Sequence, residues 1–335
     1  MFTIWVHATE SGAEMDGAGV NQAELAGHKR GVWWAPVVLA LASACWGVSV
    51  PLSKKAVAAI PPVTLLSLQL LASIIVLWVA LLLRRQPMAA VTDQPITRSD
   101  LFRACFSGML QPGATFLLVT LGLLLTSASE VVLLDAIEPI IIIAMAAVLL
   151  KERVSSLQYL CAIVALCGAV LVILPQIDMA AISWNGLAGD LLVLAGLCVA
   201  AFYVVLSRRL ISAYDGLHLA AIQQSAAFAF AMVALLVATL IGVAPLDWRV
   251  IDGEIVCLVI LSGLLQFALP FWLYLLALRH MRASMAALFL PLIPLSGVIL
   301  AYFLLGETLG AGQWLGAVLI IAAVLASFLT GKSAH

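Results

Sequence analysis

Ten long apolar runs, separated by short polar segments, constrain this chain more than any other feature. A helix needs about 20 apolar residues to cross the hydrocarbon core of a bilayer. The first half contains the runs Trp33–Ser53, Pro62–Leu83, Ala104–Leu124, Ala128–Leu150 and Ser156–Leu174. The second half contains Gly186–Leu206, Leu217–Gly242, Ile255–Leu278, Ala283–Leu305 and Gly312–Leu329. The runs predict an all-α polytopic membrane protein with ten transmembrane helices, because in lipid every backbone polar group must be bonded internally.

The composition agrees with a membrane protein. Of the 335 residues, 64% are hydrophobic and only 10% are charged, whereas a soluble domain has about 25% charged residues. The net charge of −1 argues against nucleic acid as a partner, because nucleic-acid binding requires a basic surface. The expected surroundings are the lipid bilayer. Residues 1–32 are polar and rich in Gly and Ala, and we expect them to form a disordered cytoplasmic tail.

The basic residues predict the orientation. If the N-terminus is cytoplasmic, ten spans return the C-terminus to the same side. Of the 16 Lys and Arg residues, only Lys54, Lys55 and Arg249 then face outward. Because cytoplasmic loops carry an excess of Lys and Arg, we predict a multi-pass protein of the inner cell membrane with both termini in the cytoplasm.

The chain matches itself when it is shifted by 155 residues. Ser107-Gly108-Met109-Leu110-Gln111 falls on Ser262-Gly263-Leu264-Leu265-Gln266, and Pro139 and Glu152 fall on Pro294 and Glu307. Coincidences of polar, Gly and Pro residues at one offset are hard to attribute to chance. Each repeat, 33–175 and 186–330, holds five spans, and an odd number inverts the second copy in the membrane. Inverted repeats are typical of secondary transporters, which bind substrate near the midplane between the halves.

Asp135 and Glu138 lie in the middle of the fourth run, at a depth where ionisable groups are rare and usually functional. They are three residues apart and so share a helix face. Apolar surroundings and a neighbouring negative charge both disfavour the charged form of a carboxylate. The pair could therefore exchange a proton for an amine or a cationic substrate. The alternative is a structural role, in which both bond to Gln, Ser or Arg on neighbouring helices.

Two amides and three aromatic residues are further candidates for substrate binding. Gln111 and Gln266 are repeat mates whose amides could contact a zwitterion, although helix–helix hydrogen bonding explains such amides equally well. Trp46, Tyr203 and Trp272 are deep enough to line a cavity and clasp an ammonium group. Single deep aromatic residues are, however, more often packing residues.

Two prolines and two glutamates mark the fourth and ninth helices. We expect Pro139 and Pro294 to break these helices, since proline interrupts backbone hydrogen bonding. Glu152 and Glu307 end the same helices, where the helix dipole opposes a carboxylate. Each therefore needs a basic group nearby, such as Lys151 and Arg153 for Glu152, and we expect both glutamates to act as latches between helix ends on opposite sides of the membrane.

The sequence contains no motif of an ATPase, a metalloprotease or a serine hydrolase. The five histidines are scattered, so we predict no metal site and no cofactor. We expect no enzyme activity, because a membrane-embedded enzyme usually needs His and Asp clusters at the interface.

Several of these features, taken in order, resemble drug/metabolite transporter superfamily proteins of the EamA type. The similar segments are Trp46-Gly47 with Lys54 and Lys55, Glu138-Pro139, Leu149–Arg153, Pro291–Pro294, Leu304–Glu307 and Gln313–Gly316. The resemblance covers residues 33–330. It implies a ten-helix, five-plus-five inverted-repeat carrier of small metabolites, often an exporter of amino acids.

These observations together predict a secondary-active exporter of a small amine-bearing or zwitterionic metabolite such as an amino acid. Proton coupling would involve Glu138 and Asp135, and the protein would be a monomer or homodimer. The first alternative is an uncoupled facilitator of small metabolites. A membrane-embedded lipid-modifying enzyme is a less favoured second alternative.

Overall fold

A computed structural model describes residues 34–84, 97–177, 186–242, 252–305 and 310–331. These residues form ten spans, some of them in two pieces. The first half contains α1 (Trp34–Val57), α2 (Pro62–Arg84), α3a (Arg98–Gly108), α3b (Thr115–Leu123), α4a (Ala128–Asp135), α4b (Glu138–Leu149) and α5 (Ser156–Ile173). The second half contains α6 (Leu187–Leu210), α7 (Gly216–Leu240), α8a (Gly253–Gly263), α8b (Leu269–His280), α9a (Ala283–Ala287), α9b (Leu292–Leu305) and α10 (Ala311–Gly331). The predicted tail, residues 1–32, lies outside the described residues.

The helices are suited to a bilayer by length and by surface. Nine spans within the described ranges are long and apolar enough to cross a membrane, and α10 contributes a shorter apolar stretch, Ala311–Ser327. Leu83 and Leu240 are 78% and 77% exposed, which is costly in water but not in lipid. The chain is an all-α polytopic membrane protein built as a 5+5 inverted repeat.

Three helices begin at polar segments that cap them. Capping boxes start α3a, α4a and α5, formed by the pairs Thr97 and Asp100, Ser127 and Glu130, and Ser155 and Gln158. Each box satisfies backbone N–H groups that the first turn leaves without a partner. The hydroxyl of Thr126 also lies 2.6 Å from Oδ1 of Asp190 on α6, so the starts of the fourth and sixth spans are held together.

The third and eighth spans each depart from regular α-helical hydrogen bonding at the same place in the repeat. The eighth span has a π-helical turn over Leu264–Ala268. In the third span, over Met109–Ala114, two helices meet at a kink where Gln111 has a non-helical backbone. The N–H of Thr115 bonds to the carbonyl of Leu110, and that of Leu269 bonds to Leu264, so both bonds reach five residues back instead of four. The shared position of these two irregularities relates the two halves independently of side-chain identity.

The two halves interleave through their first four spans. Helix α1 packs against α8 and α9b, α2 against α7 and α8a, and α6 against α3b and α4b. The last spans of the two halves, α5 and α10, pack against each other. A Cβ atom on Gly168 would lie 2.8 Å from the carbonyl oxygen of Gly316, so the two backbones are in contact there. The residues between the halves are therefore supplied by both repeats.

Candidate substrate site

The fourth span is interrupted between α4a and α4b. The N–H of Ile137 bonds to the carbonyl of Leu134 at 2.9 Å, so the connecting turn is wound like a 3₁₀-helix. Pro139 lies in the first turn of α4b, where a missing N–H leaves no bond unmade. Side chains three residues apart eclipse each other in a 3₁₀ turn. Asp135 and Glu138 therefore project from the same side of the break.

Neither carboxylate forms a hydrogen bond or an ion pair with any residue that the structure describes. The Asp135 side chain is accessible and that of Glu138 is half-buried, yet both lie deep among the packed helices. The alternative role, in which these acids bond to neighbouring helices, has no counterpart in the described part of the chain.

The acidic pair at the break of the fourth span has no counterpart at the matching positions of the ninth span. The ninth span is also interrupted, between α9a and α9b, and Pro294 lies in the first turn of α9b. The repeat mates of Asp135 and Glu138 are Leu290 and Ile293. Both spans are interrupted, but only the break of the fourth span carries carboxylates at these matching positions.

An aromatic cluster joins α1, α6 and α8b. Trp46 packs edge-on against Phe271, with ring centroids 5.5 Å apart, and lies 5.7 Å from the ring of Tyr274. Tyr203 also packs edge-on against Phe271, at 5.9 Å. The Tyr274 hydroxyl is buried without a hydrogen-bond partner among the described residues. The cluster and the acidic pair both involve α6, because Leu134 and Ile141, on either side of the acids, pack against Val193 and Leu197 of that helix.

Gln266 lies on the π-helical turn of α8 and is held at two points. Trp46 Nε1 donates a hydrogen bond to the Gln266 carbonyl at 2.9 Å, and Ser53 Oγ donates to Gln266 Oε1 at 2.9 Å. Its repeat mate Gln111 has an extended backbone conformation, φ −138° and ψ 126°, and its Oε1 is buried without a described partner. The two amides occupy matching positions, but only Gln266 is held by hydrogen bonds.

Trp272 lies apart from the aromatic cluster. The Arg84 guanidinium carbon lies 5.2 Å from the centroid of its ring, and the ring packs against an apolar cluster that includes Leu77 and Leu81 on α2. Although Trp272 follows Phe271 in the chain, consecutive residues of a helix point about 100° apart. The structure brings Trp46 and Tyr203 together but does not bring Trp272 to them.

Two polar cross-links of the same design join the halves. Gln69 on α2 donates from Nε2 to Ser53 Oγ at 3.0 Å and to Ser262 Oγ at 2.8 Å. Gln223 on α7 donates from Nε2 to Ser207 Oγ at 3.0 Å and to Ser107 Oγ at 2.8 Å. In each, a glutamine of the second span bonds a serine of its own first span and a serine of the other half's third span.

The backbones are in close contact beside both cross-links. A Cβ on Gly108 would lie 2.0 Å from the Gln223 carbonyl oxygen, and one on Gly263 would lie 2.7 Å from that of Gln69. The structural counterpart of Gln69 is therefore Gln223, whereas the constant offset pairs it with Gln224. Ser107 and Ser262 belong to the Ser-Gly segment that repeats in the sequence, but they were not among the predicted site residues. Their identical positions in the two repeats are the sequence signal for this pair of contacts.

The end of the fourth span is tied to the start of the ninth. The Glu152 carboxylate accepts hydrogen bonds from the N–H of Ala283 at 2.9 Å and from the N–H of Ser284 at 3.0 Å. Arg282 Nη1 also donates to the Arg153 carbonyl at 2.9 Å. These contacts are of the kind expected for a latch. Glu307, the second predicted latch, lies outside the described residues.

The described residues contain no group of three or more His, Cys, Asp or Glu side chains able to hold a metal ion.

A model of the EamA-like transporter family matches residues 33–174 and again residues 187–329. The chain belongs to the EamA-like transporter family. The two EamA matches coincide with the two five-helix halves, so the repeat found in the sequence is the duplicated unit of this family.

Two further comparisons concern a transporter relative and the fold. An uncharacterized transporter of Clostridium kluyveri is 25% identical over 254 residues, which cover 74% of this chain and 80% of that protein. A crystal structure of a protein with 18% identity aligns with a TM-score of 0.73 over 90% of this chain and 98% of the other, and it shows the same fold. Family membership indicates a membrane transporter of small substrates rather than an enzyme.

Proposed function

We propose that this EamA protein is a secondary-active exporter of a small amine-bearing or zwitterionic metabolite such as an amino acid. It acts in the inner cell membrane with both termini in the cytoplasm, and export is coupled to inward movement of protons. The observation that carries the proposal is the acidic pair at the break of the fourth span, which has no protein partner among the described residues.

An unpaired carboxylate at membrane depth is unfavourable, and either a proton or a cationic group relieves it. Asp135 and Glu138 are close enough to repel each other, so both cannot remain charged without a counter-ion. If one ammonium group and one proton compete for the same carboxylate, binding of either displaces the other. Such competition, together with a structure that opens to one side at a time, is sufficient for antiport.

The neighbouring residues fit an amine-bearing substrate. The aromatic cluster of Trp46, Tyr203 and Phe271 includes a residue of α6, the helix that packs against α4b, and an ammonium group is attracted to the faces of such rings. The inverted repeat supplies the motion, because the two halves can exchange conformations by rocking about the site between them.

The test is transport by purified protein in liposomes loaded with amino acids or amines. We expect exchange of at least one of these compounds, with proton movement reported by an internal pH-sensitive dye. Glu138→Gln should insert and fold normally but lose the dependence of transport on the proton gradient. Glu254→Gln, at an exposed position at the start of α8a, is the matched control and should keep it.

Two outcomes would overturn parts of the proposal. Wild-type transport that does not respond to a proton gradient would identify an uncoupled facilitator. Proton coupling that survives in Glu138→Gln would remove Glu138 from the coupling mechanism.

A further inference from the structure

The hydrogen bonds around Ser53 have a defined direction. Gln69 Nε2 carries two hydrogens and uses them on Ser262 and Ser53. Ser53 carries a single hydroxyl hydrogen, which it donates to Gln266 Oε1 at 2.9 Å. Because an amide side chain has one acceptor end and one donor end, the position of Gln266 Oε1 at Ser53 directs the NH₂ end of Gln266 away from Ser53.

The donor end of Gln266 is left available. Its Nε2 bonds to no residue that the structure describes, and it is not among the enclosed polar atoms that lack a partner. The Gln266 backbone is held in place by Trp46 Nε1, whose ring packs against Phe271 and Tyr274. The structure therefore holds Gln266 against α1 at two points, through its carbonyl and through its Oε1, and leaves its NH₂ group without a described partner.

We propose that Ser53 and Gln69 are positioning residues that turn the Gln266 NH₂ group toward the transport path, and that this group selects substrates carrying a carboxylate. The inference rests on the proposed function and refines it. The acidic pair recognises the ammonium group of the substrate and the Gln266 amide recognises its carboxylate, so an amino acid is preferred over the amine that lacks the carboxylate.

The second cross-link provides an internal control. Gln223 bonds to Ser207 and Ser107 with the same geometry, but its Oε1 accepts from the Tyr203 hydroxyl at 3.0 Å. It holds the halves together as Gln69 does, without contacting Gln266. Loss of a serine from either cross-link should weaken packing similarly, whereas only the loss of Ser53 should release the Gln266 amide.

The experiment measures uptake by counterflow in liposomes for two matched pairs, L-leucine with isopentylamine and L-phenylalanine with phenethylamine. For wild type we expect a lower KM for the amino acid than for its amine in at least one pair. Ser53→Ala should raise the KM of the amino acid about tenfold, since a hydrogen bond to a charged group is lost, and should leave that of the amine within about twofold. Ser53→Thr keeps a hydroxyl and should restore the preference, and Ser207→Ala should retain it.

If Ser53→Ala does not fold, Gln266→Glu replaces the NH₂ donor with an acceptor and should abolish the preference while amine uptake continues. Equal KM values for wild type within each pair would overturn the inference but leave an amine transporter in place. A preference that persists in both Ser53→Ala and Gln266→Glu would also overturn it. Wild-type protein that carries none of the four compounds would reject the proposed function, and the inference with it.

Discussion

Ser284 donates two hydrogen bonds to the Glu152 carboxylate, one from its N–H at 3.0 Å and one from its hydroxyl at 2.5 Å. Glu152 belongs to the first half of the chain and Ser284 to the second. A carboxylate is favoured where helix N–H groups are left without partners. This pair therefore joins the two halves on the side where α4b ends and α9a begins.

Glu152→Gln should loosen this connection. The substitution keeps the size of the side chain but removes its charge, and a hydrogen bond to a charged group contributes about 1.5–3 kcal/mol. We expect a lower melting temperature and faster hydrogen exchange at Ala283 and Ser284, measured by mass spectrometry. Arg153→Gln changes a neighbouring charge without touching the carboxylate and should leave exchange there unchanged. Equal exchange in wild type and Glu152→Gln would show that the contact contributes nothing.

Gly108→Ala should destabilise the protein strongly. Its Cβ would lie 2.0 Å from the carbonyl oxygen of Gln223, and the Cβ of Gly263→Ala would lie 2.7 Å from that of Gln69. Neither backbone can move aside locally, and overpacking typically costs about 1–3 kcal/mol. Thermal unfolding in detergent should give the order Gly108→Ala least stable, then Gly263→Ala. Gly312→Ala, which meets nothing within 4 Å, is the control, and a Gly108→Ala protein as stable as this control would contradict the packing.

Trp46→Phe and Trp272→Phe should affect transport differently. Phenylalanine at position 46 loses the bond to the Gln266 carbonyl and alters the aromatic cluster, so we expect KM to rise about tenfold, the equivalent of roughly 1.4 kcal/mol. Trp272 faces Arg84 and α2, so its replacement should change KM less than about twofold. Initial uptake rates in liposomes measure both. A larger effect at Trp272 would mean that the substrate binds on the other face of α8b.

Tyr214→Phe should protect the protein at high pH. Tyr214 lies between α6 and α7, outside the spans, and its hydroxyl is buried without a described hydrogen-bond partner. Burial first, and then the nearby Asp100 and Cys105, raise the pKa of Tyr214 from 10.0 to about 12. An acid whose pKa is higher in the folded state loses stability as the pH rises through its unfolded value, because the unfolded chain releases the proton first.

The free energy of unfolding should therefore fall between about pH 10 and about pH 12, and Tyr214→Phe should reduce that fall. Thermal unfolding at about pH 9 and about pH 11 measures the difference. Tyr159→Phe, on an exposed face of α5, is the control and should behave as wild type. A similar alkaline loss in the Tyr214 variant and in wild type would place the sensitive group elsewhere.

The architecture could be predicted from the sequence because hydrophobic length alone defines a span, and because the repeat has a constant offset over its polar residues. Pro139 also indicated the interruption of the fourth span. The π-helical turn of α8 could not be predicted, since Leu264–Ala268 contains neither glycine nor proline. Depth along the chain made Trp272 a candidate together with Trp46 and Tyr203, but depth alone does not show which neighbouring helix each side chain contacts.

The polar contacts between the halves required three-dimensional information. The constant offset pairs Gln69 with Gln224, but packing against Gly263 and Gly108 selects Gln69 and Gln223 instead. A shift of one residue moves a side chain about 100° around a helix. Aligning a Leu-rich sequence with itself does not reveal such a one-residue shift. Whether Asp135 and Glu138 have partners likewise depends on which side chains of neighbouring helices reach the fourth span, and the sequence does not give this.

The matching irregularities in the third and eighth spans also bear on how the molecule arose. A backbone irregularity is not expected to appear twice at one position through separate insertions, so the simplest history places it in an ancestor with a single copy of the five-helix unit. After duplication and fusion the copies could diverge, and the acidic side chains of the fourth span are a specialisation that one descendant carries and the other lacks.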